Sequence, residues 1–184
     1  MSNNNETTLT DRLNQFNELM ESIIPDYDEN GYLRNSLLER GFFTAPASTT
    51  HHGNYEGGLF DHSCRVARFL AQLTENNNLQ WLNHRSPILV GIFHDLCKID
   101  NYKIVNGNYV YVTDTLLKGH GDKSVMLLSQ YFQLTSEEIL CIRYHMGAFV
   151  DKEEWQFYTR AVHECPNVLW THTADMLASH VEGI

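Results

Sequence analysis

The sequence is short of basic residues, and this shortage argues against one class of partner. Its 184 residues include 13 Lys and Arg against 23 Asp and Glu, which gives a formal net charge of -10 and a pI near 5.4. Proteins that bind duplex DNA usually present a basic face, so we do not expect duplex DNA as a partner. Bound divalent cations would neutralise part of the negative charge locally, so the charge excludes little else.

The sequence also lacks long apolar runs and closely spaced cysteines. No stretch approaches the roughly 20 apolar residues of a membrane span, and the first ten residues, MSNNNETTLT, contain no apolar leader segment. The four cysteines are widely spaced without a CxxC pair, which favours reduced thiols over disulfides. We therefore expect a cytoplasmic protein with no membrane partner. The cysteines are Cys64, Cys97, Cys141 and Cys165.

The pattern of apolar residues predicts an all-α fold. The length and the 42% hydrophobic content suit one core, so we expect a flexible N-terminus over residues 1–9 and a single domain over residues 10–184. Apolar positions that recur every three or four residues predict a bundle of about seven or eight helices. Between residues 102 and 112, alternation around Asn106 and Gly107 predicts a small β-hairpin with a type I′ turn.

Capping residues mark several of the predicted helices. Thr10 is the expected cap of the first helix, and Gly41 is expected to end the second. Thr135 and Glu138 form a capping box before a helix that starts near Ser136. The other helices are predicted over residues 30–40, from Asp61, from Ser86 and Pro87 through ILVGIFHDLC, over residues 151–164, and from Pro166 towards Gly183.

A histidine and an aspartate that are adjacent inside the most apolar predicted helix are the strongest indication of chemistry. His94 and Asp95 follow the run ILVGIF. A buried imidazole and a buried carboxylate must be paired, hydrogen-bonded or bound to a metal. The pair alone leaves a metal site and a purely structural role equally open.

Four further polar residues are placed where they can join this pair. His62 lies on the inward face of its helix, His120 opens a helix, His145 lies in the last turn of one, and Asp175 lies inside the final apolar helix. Taken singly, each histidine is better explained as a core or cap residue. Together, four His and two Asp exceed the needs of one tetrahedral zinc ion, so we predict two divalent metals bridged by Asp95 and a water.

In this order, the six residues resemble the metal ligands of the HD-domain phosphohydrolases. The family's order H…HD…D is matched, and KGHGDKS and RYHMG supply the two further histidines of binuclear members. The strings NYEGGLFDHS and FHDLCKID are similar to small stand-alone bacterial or prophage HD proteins, and the resemblance covers roughly residues 50–180. The ligands that it implies are His62, His94, Asp95, His120, His145 and Asp175.

A more distant resemblance is to the HD domain of a bacterial 3′-5′ exoribonuclease. That domain has a similar HH…GGLLEH string, whereas HHGNYEGGLFDH in this chain has one extra residue. The roles of His51 and His52 are therefore left open. The role of His172, three residues before Asp175, is also open between a partner of a ligand and plain packing.

The resemblance implies a phosphohydrolase of phosphodiesterase or nucleotidase type that uses a metal-activated water. The ions expected are divalent, and Mn, Fe, Ni, Zn and Mg all remain candidates. Lys98 and Lys123 share helical faces with predicted ligands, so we expect them to bind phosphate and to act with Asp95 in catalysis. The expected substrate is a nucleotide or a short nucleotide-containing phosphoester.

Alternative functions stay open on the sequence. A 3′-5′ exonuclease acting on short single strands is less favoured, because the chain is acidic and has no separate nucleic-acid-binding domain. A non-catalytic, metal-stabilised binding module and a di-iron oxygenase could use the same ligand set, and a homodimer is also left open. The hairpin tyrosines could stack on a base, although packing explains two of the three. They are Tyr102, Tyr109 and Tyr111.

Overall fold

A computed structural model describes residues 7–29, 31–50, 53–117 and 119–181. The described residues form eight α-helices and one two-stranded sheet, which confirms the predicted helical bundle with a small hairpin. None of these helices is both long and apolar enough to cross a membrane. The helices are α1 (Leu9–Ile23), α2 (Tyr32–Glu39), α3 (Gly58–Asn77), α4 (Ser86–Phe93), α5 (Gly121–Leu128), α6 (Ser136–Tyr144), α7 (Trp155–Glu164) and α8 (Asn167–Met176).

The hairpin follows α4 after a short 3-10 helix, Leu96–Asp100. Strand β1 (Tyr102–Val105) pairs antiparallel with β2 (Asn108–Tyr111). The two turn residues have φ angles of 51° at Asn106 and 80° at Gly107. A type I′ turn requires positive φ at both central positions, so the predicted turn is confirmed.

Helices α3 and α4 pack at the centre of the bundle, with α6 and α8 against them. Their close approach depends on Gly91, because a Cβ atom there would lie 2.3 Å from the Cα atom of Ala67. A buried aromatic cluster lies beside this helix pair, with ring centroids 5.2 Å apart for Phe43 and Phe60. Phe60 and Phe93 each stand within two residues of a predicted metal ligand, so core packing also fixes the positions of these ligands.

An ion pair ties α1 to the start of α3. The Arg12 guanidinium donates to both carboxylate oxygens of Asp61, over 2.9 and 3.1 Å. The guanidinium passes over Gly57, where a Cβ atom would lie 2.1 Å from the Arg12 Cζ atom. Because Asp61 precedes His62, this bidentate pair holds the helix turn that carries a predicted ligand.

Helix α1 begins earlier than the sequence indicated. Thr8, not Thr10, is the cap: its hydroxyl accepts from the Asp11 amide, and its own amide donates to the Asp11 carboxylate. The expected cap at Thr10 is wrong because Asp11 completes a capping box with Thr8, whereas Leu13, three residues after Thr10, has no side-chain acceptor. Residues 1–6, together with His51 and His52, lie outside the described residues.

Helix α4 ends sooner than expected, and this changes the setting of the HD pair. His94 is its C-terminal cap, and Asp95 has left the helix, with φ -103° and ψ 19°. The Cys97 amide donates to the Ser124 hydroxyl instead of continuing the helical ladder. The expectation that both residues lie inside the helix is therefore wrong; they lie at its end, where the chain turns. Other helix limits differ from those predicted by a few residues, as helix ends commonly do.

Candidate metal centre

The six predicted ligands converge on one place in the bundle. They come from α3, the end of α4, the start of α5, the end of α6, and α8. Five of the six are buried, and His120 is the exception, with 30% of its side chain exposed. The sequence therefore identified residues that do lie together, although it could not supply their distances.

The Asp95 carboxylate stands between four imidazoles. Its Oδ1 atom lies 2.6 Å from His120 Nε2 and 3.4 Å from His145 Nε2. Its Oδ2 atom lies 3.4 Å from His94 Nε2 and 3.8 Å from His62 Nε2. Each carboxylate oxygen thus faces its own pair of histidines, which is the arrangement expected of a bridging ligand.

The second carboxylate, Asp175, lies near His62 and His94. Its Oδ1 atom is 3.2 Å from His62 Nε2 and 4.0 Å from His94 Nε2. Three overlapping triads of donor atoms result, and within each triad all atoms lie within 4.8 Å of one another. The triads are His62, His94 and Asp95; His94, His145 and Asp175; and Asp95, His120 and His145.

Two of the histidines are oriented by the backbone of their own helices. His94 Nδ1 donates to the Gly91 carbonyl over 2.8 Å, and His145 Nδ1 donates to the Ile142 carbonyl over 2.7 Å. The proton on Nδ1 leaves the lone pair on Nε2. Both Nε2 atoms are buried and make no hydrogen bond within the described part of the chain. An unsatisfied buried acceptor costs about 1–3 kcal/mol, and a bound cation would remove that cost.

The pKa shifts around Asp95 favour an ionised carboxylate and positive charge beside it. Burial alone would raise the pKa of Asp95, but Lys98, His94 and His120 together lower it well below its usual value. Burial lowers the pKa of His145, so its imidazole is neutral. Burial would also lower the pKa of His120, but the adjacent Asp95 carboxylate raises it to about 10. Burial would likewise lower the pKa of His94, but the Asp95 carboxylate raises it. Because metals bind ionised carboxylates and neutral imidazoles, a cation at the centre would displace the protons that Asp95 favours on His94 and His120.

The two predicted phosphate-binding lysines differ in position. Lys98 Nζ lies 2.7 Å from Asp95 Oδ2, with 12% of its side chain exposed. Lys123 is buried, and its ammonium group donates to the Asp100 and Asn101 side chains. The ammonium group of Lys123 is thus already hydrogen-bonded to the segment that leads into β1. This does not favour the prediction that Lys123 binds phosphate.

Several supporting residues were not identified from the sequence. The Ser124 hydroxyl holds the Cys97 amide, and Cys97 Sγ lies 3.6 Å from His120 Nδ1. Gly121 lets the start of α5 meet α6, because a Cβ atom there would lie 2.1 Å from the Arg143 carbonyl oxygen. The spacing of Ser124, four residues after His120, could have indicated a small polar residue on the same helix face.

The role of His172, which the sequence left open, is now clearer. Its Nδ1 atom lies 2.8 Å from the main-chain oxygen of His145 and donates to it. Its ring packs on Gly147, where φ is 59° and a Cβ atom would lie 2.7 Å from the ring. His172 therefore supports the turn that carries His145 and belongs to none of the three donor triads.

Comparison with known proteins identifies a family. A family model described as the HD domain matches residues 59–178, which is more than half of the chain and includes all six residues of the cluster. No curated protein and no solved structure shows significant similarity to the chain.

A cation-binding centre predicts that Mn²⁺ stabilises the wild-type protein. At a free concentration 100 times Kd, one bound ion adds about 2.7 kcal/mol of stability, which raises the Tm by roughly 5–10 °C for a chain of this size. The His94→Gln variant should lose most of this shift, because it removes a donor shared by two triads. Differential scanning calorimetry with and without chelator measures the effect.

The control for this measurement is His84→Gln, which changes an exposed histidine that belongs to none of the three donor triads. It should keep the full Mn²⁺-dependent shift. An equal shift in wild type and His94→Gln would show that the ion binds elsewhere.

Proposed function

The chain belongs to the HD-domain family of metal-dependent phosphohydrolases, and from this we propose that it hydrolyses a phosphoester or phosphoanhydride of a nucleotide or short nucleotide-containing substrate. The observation that carries the proposal is the Asp95 carboxylate, whose two oxygens each face a different pair of imidazoles. A carboxylate shared in this way suits two metal ions that act together on one phosphoester.

HD domains bind divalent metals, and the cluster fits such ions because two buried imidazole Nε2 atoms are without hydrogen-bond partners. His62, His94 and Asp175 would hold one ion, and His120 and His145 would hold a second. Asp95 would contribute to both. When bound, such ions supply positive charge to phosphate oxygens and lower the pKa of a water molecule towards neutrality.

Among the described residues, Lys98 is the side chain that is best placed to hold a phosphate oxygen. Burial would lower the pKa of Lys98, but the Asp95 carboxylate raises it, so the ammonium group stays charged at neutral pH. Its donors are held beside the cluster by an ion pair of 2.7 Å. A fixed ammonium group can stabilise charge that develops on the phosphoryl oxygens in the transition state.

The substrate is expected to approach from the side of His120 and Lys98. His120 is the most exposed of the six cluster residues, and the Lys98 side chain is also partly exposed. His62, His94 and His145 are almost fully buried, so the other sides of the cluster are covered by packed helices. An opening on one side suits a small phosphorylated molecule better than a long strand, which agrees with the acidic net charge.

The proposal predicts product release from at least one compound in a defined panel. Mn²⁺-loaded protein is tested on nucleoside mono- and triphosphates, cyclic nucleotides and short single-stranded RNA, and nucleoside or phosphate release is followed by chromatography. Asp95→Asn should lower kcat by more than about 1,000-fold, because it removes the charge shared by both ions.

Circular dichroism must show that Asp95→Asn is folded. If metal-loaded wild type leaves every compound intact, or if the variant turns over as fast as wild type, the hydrolase proposal is wrong. Stepwise shortening of RNA on a gel would identify an exonuclease instead.

The two lysines provide a separate prediction. Lys98→Met should lower kcat/KM by about 100-fold through loss of the ammonium group, and Lys98→Arg should restore part of this loss because it keeps the charge. Lys123→Met should affect the free energy of unfolding more than kcat/KM, since its partners are structural. Steady-state kinetics and urea unfolding, with bound metal measured for each variant, separate the two roles. Equal kinetic losses at Lys98 and Lys123 would contradict this assignment.

A further inference from the structure

The β1–β2 hairpin lies beside the metal centre, because the residues before and after the hairpin both belong to that centre. Asp95 and His120 are 25 residues apart in sequence, yet their side chains approach to 2.6 Å. Strands β1 and β2 lie within this interval. The chain therefore leaves the centre at Asp95, forms the hairpin and returns at His120, so both ends of the hairpin are anchored at the centre.

The end of the hairpin near the centre carries two tyrosines. Tyr102 is the first residue of β1, Tyr111 is the last of β2, and they are cross-strand partners. The turn at Asn106 and Gly107 lies at the opposite end. The Val112 amide donates to the Asn101 carbonyl over 2.9 Å, so the hydrogen bonds between the two chain segments continue one residue past the tyrosine pair.

The pKa of Tyr102 also indicates that its hydroxyl lies near the metal centre. The pKa of Tyr102 is raised first by burial and then by its contact with Tyr111, and the negative charge of Asp95 adds to the effect. Such a contribution requires that the phenol group and the Asp95 carboxylate are near one another. Lys98 lies on the same short segment, four residues before Tyr102.

The two rings differ in how they are held. The Tyr102 hydroxyl donates to the Ala47 carbonyl over 3.3 Å, and its ring is half-buried. The Tyr111 ring meets it edge to face, with centroids 5.0 Å apart and planes at 61°. Yet 58% of Tyr111 is exposed. Packing accounts for Tyr102. Tyr111 contacts the Tyr102 ring and accepts a hydrogen bond of 3.4 Å from the Tyr102 hydroxyl, and the rest of its ring is open to solvent.

We propose that Tyr111, braced by Tyr102, is the surface on which the base of a nucleotide substrate stacks while its phosphate is held at the Asp95 centre. This inference rests on the proposed phosphohydrolase function and specifies its substrate class. A mononucleotide has a charged phosphate and a planar base. The segment from Asp95 to Tyr111 offers the Asp95 centre for the phosphate and the Tyr111 ring for the base. Stacking on an aromatic ring tolerates any base, because every base has a π-face.

Adenosine is the probe for the base site. Adenosine has no phosphate to be hydrolysed, so saturation-transfer NMR can detect its base protons on the wild-type protein at equilibrium. Tyr111→Leu keeps apolar bulk without the ring and should abolish the signal, whereas Tyr111→Phe should keep it. Tyr32→Leu is the matched control, because Tyr32 is an exposed tyrosine on α2 that pairs with Tyr131.

Kinetics give a second readout with adenosine 5′-monophosphate and ribose 5-phosphate. Loss of a stacking contact formed equally in ground and transition states raises KM without changing kcat. Tyr111→Leu should therefore raise the KM for the nucleotide about tenfold and leave that for the sugar phosphate unchanged. Tyr111→Phe and Tyr32→Leu should leave both KM values as in wild type.

The outcomes distinguish this inference from the proposed function. An adenosine signal that is absent in wild type, or that Tyr111→Leu leaves unchanged, overturns the stacking surface even if both phosphates are hydrolysed. A Tyr111-dependent signal on a protein that hydrolyses no compound in the panel supports the base site and rejects the hydrolase. Circular dichroism of each variant excludes unfolding as the cause.

Discussion

A carboxylate buried among four imidazoles determines how the helices of this protein must meet. Asp95 is 2% exposed, and so concentrated a set of ionisable groups is costly to bury unless its members are paired or bind a cation. Lys98 and His120 pair with the Asp95 carboxylate, but the Nε2 atoms of His94 and His145 are left without hydrogen-bond donors. A divalent ion meets this requirement because it accepts the lone pairs that no protein proton reaches.

The bundle brings these groups together mainly through helix ends and close backbone contacts. His94, His120 and His145 are all cap residues, so each lies where its chain segment turns and its side chain is not confined to one helix face. Gly91 and Gly121 allow the ligand-bearing segments to approach more closely than any side chain would permit. The aromatic core and the pair of Arg12 with Asp61 then fix the helices in these positions.

Periodicity and turn chemistry were sufficient to predict the helical class, the hairpin with its Asn106 turn, and the capping box at Thr135. These features depend on residues near one another in sequence. The end of α4 at Phe93 could not be predicted, because the Cys97 amide is bound by Ser124, which lies 27 residues later. The partners of Lys123 were missed for the same reason. The six cluster residues were found through a family pattern, whereas their sharing of Asp95 is visible only in three dimensions.

Anomalous diffraction from crystals of the Mn²⁺-loaded protein, recorded at the manganese edge, tests the shared carboxylate most directly. Two ions held by the cluster should give two peaks, each at about 2.0–2.6 Å from one oxygen of Asp95 and from the imidazole nitrogens that face it. Manganese peaks found only away from the Asp95 carboxylate would show that it does not bind the ions.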